Sequence, residues 1–287
     1  TVTVQNFSVL DMGANNDTIG TLSLQANGQI IGSGTLTVTG LGGSTFTGGT
    51  ITANLAGAGG LNVGAGSRVL FSGNNSYTGV TAVGAGARLA IGSNNALGAA
   101  GVGNDTTVAS GGQLQLQGGL TTGETITAGG TGVPAFGATT GALWNIGGMN
   151  TLAGGLLVSS DTTLYSSNGN LVLAGVGLNG PANANLTIQG AGGVTLLSPP
   201  AIGAGTITQN GTGALVFGYT LAGIPANVIH NTGALGFDGT QNLGAVNVPA
   251  GLAYLFNSDP GAGTTVTAPA GTGVIATYAV DQNLVSR

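Results

Sequence analysis

The amino-acid sequence predicts an all-β fold, a parallel β-helix (β-solenoid) with coils of about twenty residues and insertions at its corners. Three observations predict it: a short alternating unit recurs along the chain, long stretches repeat in register, and the composition is rich in glycine and poor in charge. Together they favour a stack of short strands over a sandwich, a propeller or a helical protein.

The recurring unit has the pattern Gly-x-apolar-x-apolar-x-Gly. Alternate side chains of such a unit point inward along a short strand, and each glycine marks a corner. The clearest copies are GTLTVTG at 34–40 and GQLQLQG at 112–118. The leading leucines of the units are predicted to face the core: Leu36, Leu114, Leu171, Leu186, Leu215 and Leu235.

Two repeated stretches set the length of one coil. GSRVLFSGNNSYTG begins at Gly66 and GARLAIGSNNALG begins at Gly86, so the same residue types recur at an interval of twenty. The units at 213–217 and 233–237 have the same interval. We expect the repeated asparagines to stack at one corner as amide ladders, Asn74 on Asn94 and Asn75 on Asn95.

Arg68 and Arg88 lie at the same position of these two stretches, each directly before an apolar core position. They are predicted to project outward from neighbouring coils about 5 Å apart, where like charges repel. Solvated side chains are one interpretation. The other is a contact with an anion or with a carboxylate of another subunit.

Composition excludes several classes of protein. Only 4% of the 287 residues are charged, the net charge is −5, and the cations are Arg68, Arg88 and Arg287, so nucleic-acid binding is not expected. The absence of cysteine excludes a disulfide framework and thiolate metal sites. No apolar run is long enough for a membrane-spanning helix. Uniform composition predicts one elongated repeat region, 1–272, followed by a C-terminal extended segment, 273–287.

The stretch from Leu55 to Gly98 resembles the autotransporter-associated β-strand repeat of bacterial passenger domains. The motif G-x-N-x-Y-T-G of that repeat is carried by GNNSYTG at 73–79, and a degenerate second copy lies at 203–223. The resemblance implies a right-handed parallel β-helix that is displayed or released outside a bacterial cell. The residues of that family are architectural, so the resemblance implies no active site.

The residues that could carry chemistry are few. His230 has no nearby acid and is expected at a corner or on the surface. Trp144 lies at strand spacing, which favours a packed position over a platform for sugar binding. The chain is therefore predicted not to be an enzyme and to need no cofactor or metal. The eight acids are spread, and none shares a coil position with another in a neighbouring coil: Asp11, Asp17, Asp105, Glu124, Asp161, Asp238, Asp259 and Asp281.

The function predicted from these features is structural or adhesive, at a bacterial surface. A carbohydrate-binding passenger domain is the alternative, and an enzyme acting on polysaccharide is a weaker one. Glycans or cell surfaces are the external partners considered. The strand-like stretches from Thr1 and from Gly273 predict head-to-tail contact between subunits and hence an oligomer or filament. The competing explanation is a longer passenger whose adjoining coils cover both ends.

Overall fold

The structure is a computed structural model. The residues that it describes are 1–135, 138–221, 227–238, 245–247, 252–256, 265–267 and 274–277. It is a β-solenoid of about 11 turns with ~21-residue spacing, and the predicted fold class is confirmed. The described residues contain one short 3-10 turn, Leu41–Gly43, and no helix among them is long and apolar enough to span a membrane.

Each coil passes along three sides of the stack, and the strands of each side pair in parallel with those of neighbouring coils; those of the third side form one sheet of three strands and one of eight. The strands of the first side are Val2–Val4, Leu22–Leu24, Thr81–Val83, Thr106–Val108, Ile126–Gly130 and Leu178–Asn179. Those of the second side are Val9–Asp11, Gln29–Ile31, Arg88–Ile91, Gln113–Gln117, Leu143–Gly147, Leu186–Gln189, Ile207–Gln209 and Val228–His230. Those of the third side are Asp17–Ile19, Thr35–Val38, Asn54–Gly57, Thr121–Thr122, Met149–Leu152, Asn170–Leu173, Gly193–Leu196, Ala214–Phe217, Ala234–Phe237, Ala253–Phe256 and Val274–Thr277.

Three longer strands, Thr45–Ile51, Leu61–Phe71 and Leu156–Ser166, run from the first side onto the second. They bend at the corner, so the first two sides form one continuous sheet of 17 strands. Gly66 and Gly86 follow one another at this corner, both with φ of 76°. A left-handed backbone angle of this kind favours glycine, which explains why the repeat keeps glycine at this position.

The core consists of rows in which each inward side chain lies on its counterpart one coil away. On the second side, Ile51, Phe71, Ile91 and Leu116 are partners in successive strands, and all are fully buried. Burying a side chain of this size stabilises the fold by about 1.5–3 kcal/mol. The predicted inward leucines, listed above, are all at most 1% exposed.

Two insertions lengthen individual coils. Thr81 pairs with Thr106, and the extra residues form a loop that includes Val102, whose side chain is fully exposed. Ile126 pairs with Leu156, and the extra residues include an antiparallel pair of strands, Pro134–Ala135 and Ala138–Thr139. The neighbouring coils stay in contact, because both insertions leave the stack at corners.

The asparagine ladder is present, but its partners differ from those expected. The Asn74 side chain accepts from the Asn95 amide at 2.7 Å, and its backbone N–H donates to Asn54 at 2.8 Å. Asn75 turns inward, where its amide accepts from the Leu55 N–H and donates to a backbone carbonyl. The side-chain partner of Asn74 is therefore Asn95, one residue beyond the expected Asn94. The Asn94 side chain instead accepts a hydrogen bond from a backbone N–H of the third side.

The segment predicted as a C-terminal extension, 273–287, is described only at Val274–Thr277. This strand lies parallel to Ala253–Phe256 and in register with it. The rest of 273–287 lies outside the described residues, and so do Asp259, Asp281 and Arg287. A further parallel pair, Ala245–Asn247 with Thr265–Thr267, lies in the same part of the chain.

Candidate functional site

The two internal arginines lie on the outer surface of the second side. Arg68 and Arg88 are register partners in adjacent parallel strands, as their twenty-residue spacing predicts. The residues that follow them, Val69 and Leu89, are buried in the core. Alternation along the strand therefore directs both guanidinium groups away from the core. Arg68 is exposed and Arg88 is half-buried.

An open groove of about 620 Å³ lies against this pair. We call it the arginine groove. It extends across several coils, with Phe7 of the first coil at one end, and none of the described residues that line it is acidic. Besides the two arginines, its polar lining residues are Asn27, Gln29, Thr50 and Gln115.

Arg88 is held in place by the inserted strand pair. One of its terminal NH₂ groups donates to the Pro134 carbonyl at 2.8 Å, and its Nε is buried without a hydrogen-bond partner among the described residues. Burial lowers the pKa of Arg88, and the neighbouring positive charge of Arg68 lowers it further. The Arg68 side chain makes no hydrogen bond or ion pair within the described part of the chain. Among the same residues, no carboxylate lies between the two guanidinium groups.

Two glutamines continue the arrangement on the next coil. Gln113 is the register partner of Arg88, and the insertion buries it fully. Its amide nitrogen donates to the Thr140 hydroxyl at 2.6 Å and to the Gly141 carbonyl at 2.8 Å. The Gln115 amide donates to the Gln113 side-chain oxygen at 2.7 Å. This network fixes the Gln115 side chain at the edge of the arginine groove.

Beyond Gln115, the same outward row carries two aromatic residues. Gln115 pairs with Trp144, and Trp144 pairs with Tyr165. Both rings are half-buried and meet edge to face, with centroids 6.3 Å apart, and the indole N–H donates to Ser167 at 2.6 Å. Trp144 is thus packed against a neighbour, but it lies on the outside of the sheet and not in the core. Strand spacing alone did not distinguish these positions.

The remaining candidates are dispersed. His230 ends a strand of the second side in register with buried Gln209, and burial lowers its pKa. It lies half-buried at the end of this strand, whereas the sequence predicted a position at a corner or on the surface. Asp161 accepts two hydrogen bonds from Asn185 in the next coil, which gives it a structural role. Among the described residues, no cluster of His, Cys, Asp or Glu side chains could hold a metal ion.

Glu124 is the residue that sequence reasoning missed. Its side chain is only 1% exposed, it accepts a short hydrogen bond from the Thr106 hydroxyl, and its Oε1 has no partner among the described residues. Burial raises its pKa to about 8, against the effect of the Thr106 hydrogen bond. The signal was present in the sequence, because Glu124 alternates in step with the inward residues Thr122 and Ile126.

Comparison with protein-family models, curated proteins and solved structures finds no match to this chain. The chemistry of the second side must therefore be derived from its own residues. Its distinctive features are two arginines with no carboxylate partner among the described residues, amide and hydroxyl groups in the lining of an open groove, and an aromatic pair on the outward row that contains Gln115. These groups are suited to binding a ligand with charged and hydroxyl groups.

Proposed function

We propose that this chain is a structural and adhesive rod, exposed on a bacterial surface, which binds a ligand along its second side and does not catalyse a reaction. One observation carries the proposal: the arginine groove and the Trp144–Tyr165 pair lie on one side of a rigid stack. A solenoid holds such groups at fixed spacing, since every coil is anchored by its neighbours. Binding then requires little ordering of the protein.

The lining of the groove favours binding over hydrolysis. Polysaccharide hydrolysis ordinarily uses two carboxylates on either side of the scissile bond. The arginine groove has no acidic group among its described lining residues. Glu124 has the raised pKa of a general acid, but it lies in the interior. The polar groups of the groove are cations, amides and hydroxyls, which hold a ligand without attacking it.

Surface display and assembly belong to the same proposal. The resemblance of 55–98 to a passenger-domain repeat supports a location outside the cell. The described strands pair in parallel from one coil to the next, and the same pairing between subunits would assemble them head to tail into a filament. Electron microscopy of the purified chain tests assembly directly. We expect filaments that are lost on deletion of 273–287, and a chain that stays monomeric at high concentration would contradict assembly.

Adhesion is tested with beads coated with the purified chain and exposed to an array of neutral and charged polysaccharides and to whole cells. We expect retention of at least one polysaccharide or cell type and no increase in reducing ends in the supernatant. New reducing ends would contradict the non-catalytic part of the proposal. Failure to retain anything on the array would contradict adhesion.

A further inference from the structure

Two of the three arginines of the chain lie at one place. There are three basic residues and no lysine in a protein of net charge −5, and two of the three are adjacent in the arginine groove. Two like charges at the spacing of neighbouring strands repel one another. A bound anion would remove this cost, because each guanidinium offers several N–H donors in a plane that matches a carboxylate or sulfate.

We infer, resting on the proposed adhesive function, that the arginine groove binds an acidic polysaccharide whose carboxylate or sulfate groups lie on Arg68 and Arg88. The Pro134 carbonyl already orients Arg88, so part of the cost of ordering its side chain is met before the ligand binds. Arg68 is exposed and supplies a second cation one coil away.

The groups around the arginines indicate a sugar polymer. The groove presents the amides of Gln29 and Gln115 and the hydroxyl of Thr50, which can bond sugar hydroxyls. From Gln29 to Tyr165 an outward row crosses the groove with each step being one coil, and its members are Gln29, Thr50, Leu70, Ala90, Gln115, Trp144 and Tyr165. Six steps of about 4.8 Å give a row of about 29 Å. Aromatic faces and edges along such a row suit the apolar surfaces of sugar rings.

Other anionic polymers fit the surface less well. A duplex nucleic acid carries one charge per about 1.7 Å, and two cations neutralise very little of it. An acidic peptide gains most from pairing with an exposed strand edge. The strands below the groove, Leu61–Phe71 and Arg88–Ile91, are each paired on both sides. A chain of hydroxyls with spaced acidic groups matches both the small number of cations and the polar lining.

The test is isothermal titration of the full chain with polygalacturonate, dextran sulfate and neutral dextran, with poly-aspartate and single-stranded DNA as competing polymers. We expect one or both acidic polysaccharides to bind, dextran not to bind, and added salt to weaken binding. The two acidic polymers distinguish a carboxylate ligand from a sulfate ligand. Arg68→Gln and Arg88→Gln should each weaken binding roughly tenfold, as expected for loss of a charged hydrogen-bonding group.

A matched control is Asn62→Asp, because Asn62 is exposed on the first side. This substitution lowers the net charge by one, as each arginine substitution does. This variant should bind like the wild type, and all variants should keep the wild-type circular dichroism and melting temperature. Equal binding by the arginine variants and the wild type would overturn the inference. Preference for dextran, poly-aspartate or DNA, or no binding at all, would overturn it too. After any of these negative results, retention of a neutral glycan on the bead array would still support the proposed adhesive function.

Discussion

Glu124 should make the stability of the solenoid depend on pH near neutrality. The carboxyl group lies in the interior and accepts a hydrogen bond from Thr106, while its Oε1 is buried without a partner among the described residues. Burial raises its pKa from 4.5 to about 8, the Thr106 hydrogen bond opposes the shift, and the charge of Asp105 adds to it. The folded chain therefore keeps the Glu124 proton at pH values where the unfolded chain releases it.

The sign follows from proton linkage. Because folding raises the pKa of Glu124, the folded chain binds this proton more tightly than the unfolded chain does. The contribution of Glu124 to the free energy of unfolding is therefore fully present below pH 4.5 and is lost as the pH rises to about 8. A separation of about 3.5 pH units at 1.36 kcal/mol per unit corresponds to about 5 kcal/mol. Relaxation of the surrounding coil and entry of water reduce the expected loss to about 3–5 kcal/mol.

The measurement is guanidinium chloride unfolding, followed by far-ultraviolet circular dichroism, for the wild type and Glu124→Gln from about pH 4 to about pH 9. Glutamine keeps the shape of the neutral carboxyl and cannot ionise. The two proteins should have similar stability at the acid end, and the variant should be more stable at the alkaline end. Asp17→Asn makes the same chemical change at an exposed carboxylate and serves as the matched control.

A wild-type profile parallel to that of Glu124→Gln would refute this reasoning, because it would show that Glu124 titrates equally in the folded and unfolded chains. Tyr77, which also interacts with Glu124, does not offer another explanation in this range. The Tyr77 hydroxyl is hydrogen-bonded to the Thr81 hydroxyl at 2.7 Å. Burial raises the pKa of Tyr77 well above its usual value, and Glu124 raises it by a smaller amount. Tyr77 therefore stays neutral throughout the experiment.

Further predictions concern the core, the corner and the arginines. Leu215→Asp should lower the free energy of unfolding by several kcal/mol, because Leu215 is fully buried. Val216→Asp changes the next, outward position and should shift the midpoint of guanidinium chloride unfolding little. Asn75→Ala should cost about 2–4 kcal/mol by leaving two buried backbone groups unpaired, and a thermal midpoint equal to the wild type would contradict this. Trypsin should cut the native chain slowly, since Arg68 and Arg88 lie within paired strands, and rapid cleavage at both on an electrophoretic time course would show that these coils open readily.

The repeat made the stack predictable. Residues that alternate with period two and recur at twenty-residue intervals have one simple arrangement, in which each coil lies on the last. Arg68 and Arg88 illustrate this, because their register follows from spacing alone. The inward leucines illustrate it for the core, because an inward phase on one coil sets the phase on the next.

Features that depend on corners and insertions were not predictable in this way. The ladder at Asn74 is shifted because Asn75 turns inward to pair with backbone groups, and equal spacing does not reveal which of two adjacent amides turns. The contact between Arg88 and Pro134 joins residues on different coils through an insertion whose path is not fixed by the repeat. Glu124 was treated as one of several scattered acids, although its alternation with neighbouring inward residues placed it in the core.

The stack also fixes the positions of the few groups that the proposed ligand site uses. Arg88, Gln115, Trp144 and Tyr165 are separated by unequal stretches of sequence, yet each lies one coil beyond the previous one. Insertions at corners change the length of a coil without changing the distance of about 4.8 Å between rows. The spacing of the groups proposed to bind a ligand on the second side is therefore set by backbone hydrogen bonds, while loops can vary. The described lining of the arginine groove contains no acidic side chain, so no lining carboxylate cancels the field of its two cations.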